Sequence, residues 1–185
     1  NIDVFDIEID ETDVDKLVDI IASLEPTFGG INLEDIKAPE CFMIENKLRE
    51  RMKIPVFHDD QHGTAIVAAA AIYNGLRIVE KEIGDVKLVV SGAGAASIAC
   101  VDLLVSMGLK KQNVRMIDRN GVIYAGRKEG MNPWKEDYAI ETSDRTIEDA
   151  IDGADLFMGL SGPGVLNGEL VKKMGPKPII LAMSN

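Results

Sequence analysis

Val89-Val90-Ser91-Gly92-Ala93-Gly94-Ala95-Ala96-Ser97 passes from an apolar, β-branched run through two glycines into an alanine-rich run. That order predicts a buried strand, a tight turn and the opening of a helix. Gly92 permits the turn. Gly94 lets backbone approach a pyrophosphate, whose charge the amides of a helix N-terminus can meet. Ser97 stands where the usual fingerprint has its third small residue. The next strand, Val114 to Asp118, ends in an acid placed to accept hydrogen bonds from adenosine ribose hydroxyls. A glycine turn alone also occurs in α/β proteins that bind nothing. Strand, glycines, helix, strand and acid in this order carry the dinucleotide reading.

Strand and helix patterns alternate on both sides of this stretch. Downstream, residues 119–145 show little periodicity and read as loops. A short helix over 147–151, a strand over 156–159, a helix over 166–174 and a last strand over 178–183 follow. Upstream, the alternation of residues 2–9 predicts a strand. A helix over 13–24, capped by Thr12, comes next, then a short strand ending at Glu34-Asp35. A helix opened by Pro39, a strand ending at Asp59-Asp60 and a long helix over 63–80 complete the order. The alternation predicts an α/β fold: an open, mostly parallel sheet with helices on both faces. The charged, glycine-containing bend between Glu80 and Asp85 marks a boundary. Residues 81–185 read as a Rossmann-type dinucleotide-binding domain, and residues 1–80 as part of a second domain with a linking helix. Both ends read as cut, since strand patterns begin at Asn1 and stop at Asn185, so the chain is expected to be a piece of a longer one.

The 185 residues carry 20 Lys+Arg against 31 Asp+Glu, a net charge of −11. That balance argues against nucleic-acid or anionic-membrane binding by bulk charge, so a polyanionic ligand needs a local site. The longest apolar run, Ala65 to Ile72, is about half of what a bilayer span needs. The acidic N-terminus lacks the basic region of a signal peptide. Cys41 and Cys100 form no paired motif, which fits a reducing cytoplasm.

Glu34-Asp35 and Asp59-Asp60 end consecutive strands. In a parallel sheet such ends gather beside the ligand crevice. Carboxylates crowded there repel one another unless a cation neutralises them, and oxygen-only donors suit Mg²⁺ or Mn²⁺. Taken singly, each pair reads better as helix caps or solvated loop residues; two pairs at equivalent positions ahead of a nucleotide turn favour the metal. His58 and His62 flank the second pair without zinc-site spacing and read as packing or supporting residues. Cys41, Met131, Trp134 and Tyr138 read as packing residues.

Phe57-His58-Asp59-Asp60-Gln61-His62-Gly63-Thr64-Ala65 resembles the signature of the malic enzymes. So do Gly30-Ile31-Asn32-Leu33-Glu34-Asp35-Ile36, the Gly92 turn and the closing Leu181-Ala182-Met183-Ser184-Asn185. The resemblance runs in order along essentially the whole chain and is closest to the smaller bacterial and archaeal members. It implies oxidative decarboxylation of malate to pyruvate and CO₂ with reduction of NAD or NADP and a divalent cation, Mg²⁺ or Mn²⁺. It implies that Glu34, Asp35 and Asp60 are metal ligands, and that Asp59 and Asn185 are catalytic, Asn185 also touching the cofactor. Thr64, Gly92, Ala93, Gly94, Ala95, Ala96, Ser97, Asp118, Arg119, Ser161 and Gly162 are implied at the dinucleotide site. The family's general base, a lysine, and general acid, a tyrosine, are expected outside these residues. A cytoplasmic homodimer is also implied.

Asp118 favours NAD, because a carboxylate repels a 2′-phosphate. Arg119, Arg127 and Lys128 nearby can offset that charge and admit NADP. Two alternatives stay open at this point. An amino-acid dehydrogenase shares the two-domain layout but has no reason to gather Glu34, Asp35 and Asp60. A dinucleotide-sensing module would keep the Gly92 turn and not need the acids.

Overall fold

A computed structural model describes residues 2–184. The chain forms two compact units, divided at Asp59/Asp60. The division falls before the long helix, whereas the sequence pattern placed a boundary after it.

In the first unit, helices α1 (Val14–Ala22) and α2 (Glu40–Arg51) pack on each other, and α2 packs on β2 of a two-stranded parallel sheet, β1 (Ile31–Leu33) and β2 (Val56–His58). Val18, Ile21, Leu33, Ile44, Leu48, Met52 and Val56 form the core of this unit. The α1 cap is Asp13, not Thr12: the Asp13 side chain accepts from the Lys16 N–H at 3.0 Å. The strand expected over 2–9 does not form. Ile2, Val4, Phe5 and Ile7 are exposed, and among the described residues no strand pairs with this segment. An alternating pattern needs a neighbouring strand to satisfy its backbone groups.

In the second unit a five-stranded sheet has the order β5-β4-β3-β6-β7. Its strands are β3 (Leu88–Ser91), β4 (Val114–Asp118), β5 (Gly121–Val122), β6 (Leu156–Gly159) and β7 (Ile179–Ala182). All pairings are parallel except the β4–β5 hairpin. Val89, Ile117, Val122 and Phe157 point to one face, where Ala150, Ile151 and Leu170 cover them. These come from α6 (Ile147–Ala150) and α7 (Gly168–Val171) with their flanks. Leu88, Val90, Leu156 and Met158 alternate to the opposite face and are equally buried. Helix α3 (Thr64–Val79) packs on α4 (Ala95–Ser106) and against β7. The small residues Ala65, Ala68 and Ala69 lie on its buried side.

The segment 119–145, expected as loops, holds β5 and a short helix α5 (Pro133–Glu136). It is held to α4 by Tyr138, whose hydroxyl donates to Asp102 and whose ring carries Lys111 Nζ at 4.7 Å. The helix expected over 166–174 is only one turn long. Asn167 caps it by accepting from the Glu169 and Leu170 N–H groups, both at 3.0 Å. Asn167→Ala is expected to lower stability by about 1 kcal/mol in urea denaturation, since the cap positions buried Leu170.

Candidate functional site

β3 is the switch point of the sheet: the chain moves outward to β4 and β5 on one side, then returns to β6 and β7 on the other. Ligand crevices form at the C-terminal ends of strands at such a point. The Gly92 turn sits there. Gly92 has φ +123° and its N–H donates to the Ile117 carbonyl at 2.8 Å. Gly94 is the N-cap of α4, with no side chain capping the helix. The N–H groups of Ala95, Ala96 and Ser97, in its first turn, precede the intrahelical bonds and need an outside acceptor. A Cβ placed on Gly94 would meet nothing within 4 Å among the described residues, so this backbone faces open space. Ser97 is buried, and its Oγ lies 2.9 Å from where a Gly92 Cβ would stand.

The turn after β6 meets the glycine turn. Ser161 Oγ hydrogen-bonds Ser91 Oγ at 2.7 Å, and the Leu160 N–H donates to the Ser91 carbonyl at 2.8 Å. Gly162 follows with open space above it among the described residues. Thus Gly92 to Ser97 and Ser161-Gly162, separated in sequence, border one crevice. Thr64 opens α3 and makes no hydrogen bond to this turn among the described residues. Asn185 lies outside the described residues.

Asp118 ends β4, directly after Ile117, whose carbonyl holds the Gly92 N–H. Both its carboxylate oxygens lie 2.7 Å from Arg127 Nη2, and Oδ2 also accepts from Lys135 Nζ at 2.7 Å. Burial pushes this carboxyl upward, but hydrogen bonds from Lys135, Arg127 and the Asn120 N–H outweigh it and hold it below its ordinary value. The sequence marks Arg127 only as a charge near Asp118. Lys135 had no signal in the sequence beyond its being basic.

The acidic strand ends belong partly to the first unit. Leu33 is in register with His58, so Glu34 and Asp59 follow equivalent positions of adjacent parallel strands. Asn32 Nδ2 donates to Glu34 Oε1 at 3.0 Å. Asp35 has φ +57°, a left-handed turn that aspartate tolerates better than most residues. Asp59 and Asp60 open a π-helical turn, Asp59–Gly63, leading into α3, rather than a plain loop. His58 is fully buried, and neither of its ring nitrogens has a hydrogen-bond partner among the described residues. Among the described residues, no three Asp, Glu, His or Cys side chains stand together as a metal-holding group. The donor chemistry of Glu34, Asp35 and Asp60, oxygen throughout, fits Mg²⁺ or Mn²⁺.

The second unit is thus an α/β domain of Rossmann type with a glycine turn at its switch point. Comparison with known proteins places it further. Residues 61–185 match the model "Malic enzyme, NAD binding domain", and residues 6–49 match "Malic enzyme, N-terminal domain". The chain belongs to the malic enzyme family. It is 64% identical over 185 residues to an NADP-dependent malic enzyme of Salmonella typhimurium, covering 100% of this chain and 24% of that protein. It is 58% identical over 184 residues to an NAD-dependent malic enzyme of Rhizobium meliloti, with the same coverage, 100% and 24%. The crystal structure of an NAD-dependent malic enzyme from Thermotoga maritima superposes with a TM-score of 0.92 at 45% identity, over 98% of this chain and 49% of that one. The chain therefore spans about a quarter of the length of these curated relatives. Family membership removes the amino-acid dehydrogenase alternative. No helix among the described residues is long and apolar enough to cross a membrane.

Proposed function

We propose that this chain forms the cofactor- and metal-binding part of an enzyme that oxidatively decarboxylates malate to pyruvate and CO₂ while reducing a nicotinamide dinucleotide. The observation that supports this most is the Gly92 turn at the switch point, bordered by Ser161-Gly162, in a chain of the malic enzyme family. The amides of Ala95, Ala96 and Ser97 would bind the pyrophosphate, with Ala93 at the tip of the turn. Asp118 and Arg119 would flank the adenosine ribose, and Thr64 would lie toward the nicotinamide. Glu34, Asp35 and Asp60 would hold the divalent cation, and Asp59 and Asn185 would contact substrate. The cation's contribution is Lewis-acid stabilisation of the charge that develops as CO₂ departs. Proton transfer to and from the substrate belongs to the lysine and tyrosine that the family resemblance places outside residues 1–185. The functional boundary near residues 80–81, a cytoplasmic location and a homodimer belong to the same proposal. The relatives include both NADP- and NAD-dependent enzymes, so the choice between them rests on this chain's own residues.

The test is a spectrophotometric assay of the whole gene product carrying this chain, with malate, Mn²⁺ and NAD or NADP. Reduced cofactor should form only with malate present and should stop when the metal is chelated. Cofactor binding without any malate-dependent reduction would instead support the sensing-module alternative.

A further inference from the structure

Ser91 and Ser161 join the two turns that border the crevice through their hydroxyls, 2.7 Å apart. The backbone sets up this meeting. Ser91 is in register with Gly159, and its carbonyl accepts the Leu160 N–H at 2.8 Å. Distance alone does not say which hydroxyl donates; burial does. Ser91 is 3% exposed, and among the described residues its hydroxyl has no other partner. If Ser161 donated, the Ser91 proton would be buried with no acceptor, at the full cost of desolvating it. Ser91 therefore donates and Ser161 accepts. Ser161 is exposed, and a hydroxyl that accepts through one lone pair keeps its own proton to give outward.

Ser161 follows β6, on the other side of β3 from β4 and Asp118. A dinucleotide lies across such a switch point with one mononucleotide half to each side. With the adenosine half toward β4, the end of β6 faces the nicotinamide half. The phosphate and ribose oxygens of that half accept hydrogen bonds. A Cβ on neighbouring Gly162 would meet nothing within 4 Å among the described residues, so a ligand has room to approach the Ser161 hydroxyl.

We propose that Ser91 is a positioning residue that makes Ser161 a hydrogen-bond donor to the nicotinamide half of the dinucleotide. Buried at the end of β3, Ser91 does not touch the ligand. Its proton occupies one lone pair of Ser161 Oγ and so turns the Ser161 proton toward the crevice. Without Ser91 that hydroxyl is free to rotate, and its orientation has to be fixed at the moment of binding. This rests on the dinucleotide reading above.

The experiment is calorimetric titration of the whole gene product carrying this chain. The ligands are whichever of NADH and NADPH it binds tighter, and the matching adenosine mononucleotide, 5′-AMP or adenosine 2′,5′-bisphosphate. Ser91→Ala is expected to weaken the dinucleotide about fivefold, the worth of one hydrogen bond, and to leave the mononucleotide within about twofold. Ser91→Cys, a weaker donor of similar size, should fall between Ser91→Ala and the parent. Ser161→Ala should show the same selective loss, and because Ser161 is exposed on a turn this variant tests the idea even where a change at buried Ser91 costs stability. Ser91→Ala added to Ser161→Ala should cost no further affinity, since a residue that acts only through its neighbour then has nothing to act on. Parent-like dinucleotide binding by either single variant overturns the inference. So does an equal loss for both ligands, which a merely disturbed strand end would give, and so does a further loss in the double variant. Failure of the parent to bind either ligand overturns the dinucleotide reading together with it.

Discussion

Asp118→Ala is expected to lower folding stability by about 3–5 kcal/mol, the usual cost of removing one member of a buried ion pair. The Arg127 side chain is 3% exposed and that of Asp118 is 10% exposed, so the guanidinium would be left almost dry beside carbonyl groups alone. Lys135, 16% exposed, would lose its counter-charge as well. Arg127 also ties the β4–β5 hairpin to the segment that follows, through Gly121, Val122 and Glu129, so the damage should spread through that segment. The effect carries a pH signature. The folded-state pKa of Asp118 is depressed, so its contribution is complete above the unfolded value of about 3.9 and is lost as pH falls through the lower folded value. Urea denaturation of parent and variant should show the full gap at pH 7 and a shrinking gap below about pH 4. Equal midpoints at pH 7 would mean that the cluster is a surface decoration.

Gly92→Ala should cost stability and binding together. At φ +123° an L-residue is strained, and the new Cβ would stand 2.9 Å from Ser97 Oγ and 3.2 Å from the carbonyl carbon and oxygen of Leu160. Backbone strain and overpacking each cost roughly 1–3 kcal/mol. Ser97 is buried in the first turn of α4 and Leu160 is pinned by its bond to Ser91, so neither can yield cheaply. Relief would come from moving the turn, which displaces the amides of Ala95 and Ala96. Dinucleotide affinity is expected to fall about 100-fold or more, as befits loss of two or more charge-assisted hydrogen bonds. Gly94→Ala is the informative partner. Its φ is −93° and its Cβ would enter open space among the described residues, so it should leave folding intact while obstructing the ligand. A Gly92→Ala variant that melts and binds like the parent would remove the turn from the site.

The order of elements around the site is local chemistry. Val89 to Ser97 carries its own period and its own glycines, and β3, the turn, α4, β4 and Asp118 stand in the sheet as that stretch predicts. A strand buried on both faces reads as an unbroken apolar run, and a glycine at positive φ is nearly obligatory, so both leave marks in the residues themselves. The segment 2–9 marks the limit. Its alternation says which face a strand would bury, but strand formation depends on a neighbouring backbone, and none among the described residues supplies one.

What only the tertiary structure decided lies in contacts between distant residues. Arg127 and Lys135 reach Asp118 from 9 and 17 positions away, and Ser161 reaches Ser91 from 70 away. A hydrogen-bonded ion cluster has no period and no required spacing, so nothing in the string separates Lys135, which holds the acid, from Lys128, which does not. The sequence by itself determined a parallel α/β domain with a glycine turn and an acid beyond it, because backbone conformation and apolar periodicity are written residue by residue. Whether that acid is open to a ribose or already spent on two cations was decided by the β4–β5 hairpin and α5, which fold Arg127 and Lys135 back over the strand end.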